Sequence, residues 1–389
     1  SIYTYLDRRF GLKSYKTGAS FFLLSRTIGA AFRLFLVANV LQITLFNQWN
    51  IPFEATVVIT ILLIWLYTFK GRIKTIIWTD SLQTLFMLTA VGVTVYLISQ
   101  NLNLTFSGLV ETVADSKNSK IFYFEDWNHE YHFIKQFFAG AFITITMTGL
   151  DQDMMQKNLS CRNIKDAKKN MYWFSLGLVP VNLLFMSLGA LLIIYAKREG
   201  IPLPEQSDDL FPIIATQGYL APAVGFFFLL GLVAAAYSSA DSALTALTTS
   251  FTVDILNTKN MKEKALKLLR KKVHVGVSAV LAIIIIIFNI VNDQSVISAL
   301  FTIAGYTYGP LLGMYTFGLF TKMQVKDKWV PLIAILSPIL SGIISFNSEM
   351  LFNGYKFGFE LLIMNGIITF IGLLLIRERN TKNIEKLNG

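Results

Sequence analysis

Apolar runs long enough to cross a bilayer recur from one end of this 389-residue chain to the other, separated by short polar connectors. In hydrocarbon the backbone must satisfy its own hydrogen bonds, so a nearly uncharged run of about 18 residues is read as a transmembrane helix. Ten such spans are expected, at 18–46, 52–70, 74–99, 133–157, 170–197, 220–255, 268–292, 295–321, 329–347 and 357–377. The fold class is an all-α membrane protein. Residues 1–389 read as one transmembrane domain, with 100–132 as an extracytoplasmic loop and 378–389 as a tail.

Charge orients the spans. Arg8, Arg9, Lys13 and Lys16 precede the first, and Lys70, Arg72 and Lys74 join the second to the third. Lys157, Arg162, Lys165, Lys168 and Lys169 follow the fourth, and a basic run from Lys259 to Lys272 precedes the seventh. Lys322, Lys326 and Lys328 follow the eighth, and Arg377, Arg379 and Lys382 follow the tenth. Every alternate connector is basic, which makes these the cytoplasmic ones and puts both ends of the chain in the cytoplasm. The net charge of +10 is thus a topology signal and not a nucleic-acid surface. The single Cys161 excludes an internal disulfide framework, and with only three histidines no metal-site spacing arises. In the 100–132 segment, acidic and aromatic residues read as a solvated loop with a surface helix, an outer lid being the alternative. Leu210-Phe211-Pro212 reads as a short surface or re-entrant helix.

One span is unusual. Ala234-Ala235-Ala236-Tyr237-Ser238-Ser239-Ala240-Asp241-Ser242 puts hydroxyls and a carboxylate inside an apolar helical run. Ala235, Ser238, Ser239, Ser242, Thr245 and Thr249 recur at steps of three or four and form one stripe. Such hydroxyls can replace the hydration oxygens of a small hard cation, or let helices pack closely. At roughly 1.5 Å per residue, Asp80 on the third span lies roughly 9 Å above the inner boundary, level with this stripe. Carboxylates and hydroxyls at one level suit Na⁺.

By the same reckoning Arg26 and Arg33 lie roughly 10 and 20 Å deep on one face of the first span. Either they fork an anionic solute, or they pair with Asp80 or Asp241, or Arg26 snorkels. On the fourth span, Thr144, Thr146 and Thr148 come near mid-depth, then Gly149-Leu150-Asp151-Gln152-Asp153. A glycine followed by dense polarity inside a span predicts a broken helix with free backbone groups, or the end of the helix.

Trp78-Thr79-Asp80-Ser81-Leu82-Gln83, Asp151-Gln152-Asp153-Met154-Met155-Gln156-Lys157, Ala235-Ala236-Tyr237-Ser238-Ser239 through Asp254, and Gly309-Pro310-Leu311-Leu312-Gly313 together resemble the sodium/solute symporter family. The resemblance spans essentially the whole chain in order. It implies a LeuT-like core of two inverted five-helix repeats and sodium-driven alternating access, with Na⁺ as coupling ion and a small organic solute, a carboxylate being the candidate class. It further implies a sodium site at Ala235, Ser238 and Ser239, with Asp80 beside it, to which Asp241 and Ser242 are added. Arg33, Arg26, Thr144, Met147 and Gln152 are the candidate solute contacts. Asp241 stands where sialic acid symporters have a hydroxyl residue. Sugar-transporting relatives carry Asn and Tyr where Thr144 and Met147 stand, which disfavours sugar specificity of that type. Tyr3-Thr4-Tyr5-Leu6-Asp7-Arg8-Arg9-Phe10-Gly11 matches the connector after the family's second core helix, so further helices are expected before Ser1.

The expectation is a multi-pass plasma (inner) membrane transporter and not an enzyme. The rivals are a transporter-like sensor, a passive channel and an intramembrane aspartyl protease using Asp80 and Asp241, whose surroundings match no motif of such proteases.

Overall fold

The computed structural model describes residues 2–68, 73–152, 154–155, 161–256, 258, 261–291 and 295–378, without the side chains of 66–68, 73–80, 236–239 and 241. Among the described residues the chain is helical, with one isolated bridge between Val325 and Arg377. A short helix, α1 (Thr4–Arg9), leads into α2 (Leu12–Leu41), α3 (Phe53–Thr68) and α4 (Ile73–Asn101). Then come α5 (Phe106–Ala114), α6 (Phe133–Gly149), α7 (Ile164–Arg198), α8 (Leu210–Thr216) and α9 (Pro222–Ser250). The chain closes with α10 (Glu263–Val291), α11 (Val296–Phe320), α12 (Val330–Phe346) and α13 (Leu361–Leu375). All ten expected spans are found, as α2, α3, α4, α6, α7 and α9 to α13. Six helical stretches, Leu12–Trp49, Ser81–Asn101, Ile164–Arg198, Glu263–Val291, Val296–Phe320 and Asp327–Phe346, are long and apolar enough to cross a membrane.

The inner helices are identifiable from burial. In α11, 61% of the most apolar window is buried, against 22% in α4, α7, α10 and α12, so α11 runs through the interior. What draws α13 onto it is a pair of glycines. A Cβ on Gly313 would lie 2.5 Å from Thr369 and 2.6 Å from the Gly366 carbonyl, and one on Gly309 would overlap Asn365. This is the small-residue spacing that lets membrane helices approach backbone to backbone. Pro310, one residue after Gly309, lacks the N–H that Tyr306 O would accept in a regular helix. Asn365 Nδ2 supplies the donor instead, 3.0 Å from Tyr306 O and 3.0 Å from Gly305 O. Ser337 of α12 donates to Asn365 O at 2.7 Å, and Thr369 donates to Ser337 at 2.8 Å. Three helices are thereby knotted through neutral groups.

At one end of the bundle α1 acts as a brace. Arg9 donates to the carbonyls of Gly318, Thr321 and Met323 at 3.2, 2.9 and 2.8 Å, filling acceptors left open at the C-terminus of α11. Asp327 accepts from the backbone N–H groups of Lys13 and Ser14 at 2.9 and 2.8 Å and so caps α2. Gly11 makes this possible, because its φ is 131° and a Cβ there would sit 2.6 Å from Asp327 Oδ2.

At the opposite end, Asp208 accepts from the Val296 N–H at 2.8 Å, at the start of α11. Asp209 accepts from Asn39 Nδ2 at 2.6 Å. Burial pushes the Asp209 carboxyl above the usual carboxylate range and Asp208 adds to the rise, while the Asn39 bond partly offsets it. The 100–132 segment carries the surface helix α5, and Asn128 ties it to the 353–356 turn through Asn353 O and the Lys356 N–H. Leu210 to Thr216 forms a helix, α8, with Leu210, Pro212, Ile214 and Ala215 buried.

Candidate functional site

The site grows from the point where α6 stops. Thr146 Oγ1 donates back to the carbonyls of Phe142 and Ile143 at 3.0 and 2.9 Å, and the helix ends at Gly149. Leu150 leaves the helical path, and helical turn geometry resumes at Gln152, Met154 and Met155. The expected break is therefore present. A break in an apolar interior frees backbone groups that need new partners. Tyr3 Oη donates to the Leu150 carbonyl at 2.8 Å. Asp151 Oδ1 accepts from the Met154 N–H at 3.1 Å, the bond that an aspartate makes at the start of a helix. Gln152 Oε1 accepts from the Ile2 N–H at 2.7 Å, and Ile2 O accepts from Tyr315 at 3.1 Å. The connector before α1 and one tyrosine of α11 thus hold the break open.

The other oxygen of Asp151 joins two further helices. Oδ2 accepts from Tyr308 Oη of α11 at 3.0 Å and faces Arg26 Nη1 of α2 at 4.0 Å. The Arg26 and Asp151 side chains are 7% and 3% exposed, so this is an ion pair away from solvent. One turn away, Thr307 Oγ1 donates to Ser25 Oγ at 3.0 Å, a second polar tie between α11 and α2. A cavity of ≈ 140 Å³ opens beside the pair, lined by Arg26, Arg33, Met147, Thr148, Asp151 and Tyr308 among others. A guanidinium, a carboxylate, a phenol and a broken helix at one small cavity can orient a solute that carries charge.

Of the candidate solute contacts, Arg26, Arg33 and Met147 line this cavity. Thr144 does not: it is exposed and its hydroxyl donates to Gly140 O at 2.8 Å. Gln152 is committed to the Ile2 N–H at the break. Among the described residues the ion-pair partner of Arg26 is Asp151, not Asp80 or Asp241. Of the candidate sodium ligands, Ala235 and Ser242 lie half-buried on α9. The side chains of Asp80, Ser238, Ser239 and Asp241 lie outside the described residues. Tyr308, Ser25 and Tyr3 were not singled out in the sequence. Tyr308 carried one signal, a hydroxyl next to the Gly309-Pro310 irregularity in an apolar helix.

Three comparisons place the chain. The sodium:solute symporter family profile matches residues 2–326. The sodium/sialic acid symporter NanT of Aliivibrio fischeri is 27% identical over 352 residues, covering 87% of this chain and 68% of that protein. Mouse sodium-coupled monocarboxylate transporter 1 is 24% identical over 336 residues, covering 82% of this chain and 52% of that protein, so the chain spans about half its length. A solved structure of a Na⁺-coupled sialic acid symporter, substrate-bound and outward-open, superposes with a TM-score of 0.74 at 19% identity. That likeness covers 96% of this chain and 76% of the other, and it shows the LeuT-like fold. The chain is a multi-pass membrane protein, and it belongs to the sodium:solute symporter family.

Proposed function

We propose that this protein imports a small organic anion, a carboxylate, together with Na⁺ by alternating access. The observation that carries the anion reading is the cavity at the break of α6, where Arg26 and Arg33 stand together against one carboxylate, Asp151. The relatives' names support it, since sialic acid and monocarboxylates are organic acids. Arg33 supplies the fork for the carboxylate, and Met147 supplies apolar wall.

For sodium, the candidate ligands are Ala235, Ser238, Ser239, Ser242, Asp80 and Asp241. Helix packing supports a common level for them. Gly231 of α9 lies against the backbone of Met87 of α4, where an added Cβ would come within 3.2 Å of Met87 N. The two helices are the third and sixth spans, so they run in opposite directions. Seven residues from Met87 and seven from Gly231, both counted toward the cytoplasm, reach Asp80 and Ser238 at one depth, roughly 10 Å further along. We further infer that residues 1–389 act as one transport unit in a plasma membrane with both ends cytoplasmic.

The test is a competition screen on the full-length protein in proteoliposomes with an imposed Na⁺ gradient. Pyruvate, propionate, N-acetylneuraminate, alanine and galactose compete against sodium-driven current. Inhibition by one or more of the carboxylic acids is expected. Inhibition by galactose alone refutes the anion assignment.

A further inference from the structure

We propose that Asp151 is an internal stand-in for the solute: its carboxylate holds the position on Arg26 that the carboxylate of the entering anion takes over, and this exchange unlocks the break in α6. The inference rests on the anion reading above.

Asp151 is the only described carboxylate lining the cavity, and it makes three contacts of unequal grip. Oδ1 holds the Met154 N–H at 3.1 Å and Oδ2 holds Tyr308 Oη at 3.0 Å, both ordinary hydrogen bonds. The contact to Arg26 is 4.0 Å, at the outer limit of an ion pair. Two of these contacts join α6 to other helices, Arg26 to α2 and Tyr308 to α11. Displacement of α6 against α2 therefore opens the Arg26 contact before the other two yield.

Opening it unaided is costly. Both side chains are nearly solvent-free, and a guanidinium separated from its carboxylate in such surroundings is left uncompensated. A solute carboxylate in the cavity changes that balance, because Arg26 lines the cavity and exchanges one carboxylate for another. Asp151, once released, keeps two donors, Tyr308 and the Met154 N–H, which support its charge. A neutral solute offers Arg26 nothing in exchange. The pair thus bars α6 from moving when the cavity holds no anion.

Asp151→Asn separates this role from a structural one. Asn caps a helix as well as Asp and keeps an oxygen for Tyr308, so the substitution removes the charge and little else. In full-length protein in proteoliposomes, sodium-driven uptake is measured with whichever of pyruvate, propionate or N-acetylneuraminate competes best. With its internal competitor gone, Arg26 binds the probe more tightly and releases it more slowly. We expect KM and kcat to fall together, each by about tenfold. Unchanged KM with less folded protein makes Asp151 a structural residue and overturns the proposal. If the variant does not fold, Arg26→Gln with Asp151→Asn removes both charges, and wild-type protein supplies the decisive measurement. Spin labels at Leu24 and Thr144, both exposed positions on α2 and α6, should change separation on adding Na⁺ and the probe and not on adding galactose. In the doubly neutral variant the probe should leave that separation unchanged. An equal response to galactose, or an unaltered response in the double variant, overturns it. If the wild type takes no organic anion in the screen, the anion reading itself fails. If it takes one and Asp151→Asn leaves KM unchanged, only the exchange fails.

Discussion

Two places in this bundle set polar groups beside irregular backbone in an apolar interior, and they resolve the problem in opposite ways. Where Pro310 interrupts α11, the orphaned Tyr306 carbonyl is taken up by Asn365, which is held by Ser337 and indirectly by Thr369. All four side chains are neutral, Gly309 and Gly313 bring the backbones close, and no room remains. Where α6 breaks, the groups are charged, the ion pair is long, and a cavity lies open beside them. Neutral hydrogen bonds between membrane helices are modest, and close packing makes the first region hold. Ionised groups in hydrocarbon are costly enough that their presence at the second points to transport. The difference separates polarity used to assemble a bundle from polarity used to move within one.

The sharpest way to break the comparison is Gly313→Val. Its branched side chain must displace Thr369 or the Gly366 backbone, and we expect a loss of about 3 kcal/mol, read from thermal unfolding in detergent. A variant as stable as wild type would show that the knot is not close-packed in the membrane. On the transport side, Ser238→Ala with Ser239→Ala should raise the sodium concentration needed for half-maximal uptake about tenfold, equivalent to about 1.4 kcal/mol, with little change in stability. Unchanged sodium dependence would remove these serines from the sodium site.

Asn365→Leu should cost about 1 kcal/mol, because the Tyr306 carbonyl and Ser337 lose their partner. KM for solute and the sodium requirement should stay as in wild type, and a shift in either would merge the two regions into one. The smallest effect concerns Asp209, outside both. A carboxyl whose folded value is raised adds stability below its ordinary value and loses it as pH rises through the raised value. Asp209→Asn keeps the acceptor for Asn39 and has no charge to bury. It should raise the melting temperature by about 1 °C at neutral pH. The gain should vanish in acid, below the ordinary carboxylate range.

The two regions were not equally legible in the sequence. All ten spans could be read, because hydrocarbon leaves the backbone few alternatives to a helix. The break could be read as well, since Gly149-Leu150-Asp151 combines a poor helix former with a capping residue. The Gly309-Pro310-Leu311-Leu312-Gly313 segment was visible as a motif, but its partner Asn365 looks like an isolated polar residue in Leu361–Leu375. Likewise Arg26 was seen and its depth reckoned, yet Asp151 lies 125 positions later, on a helix whose packing against α2 no single-chain pattern reveals. Thr144 illustrates the same limit from the other side: mid-depth on the right helix, it faces away from the cavity. Depth follows from counting residues. Azimuth follows from contacts between helices, and those are a property of the folded chain.

The short helix α1 has a mechanical consequence. Tyr3 and Ile2 grip the break at one end, and Arg9 grips the C-terminal carbonyls of α11 at the other. Six residues of helix separate the two grips, so they are locked in rotational phase. One residue inserted into α1 would turn Tyr3 by about 100° relative to Arg9, swinging its hydroxyl away from Leu150. The length of this small element is therefore a gearing ratio: it sets how far a twist at α6 is handed on to the end of the bundle.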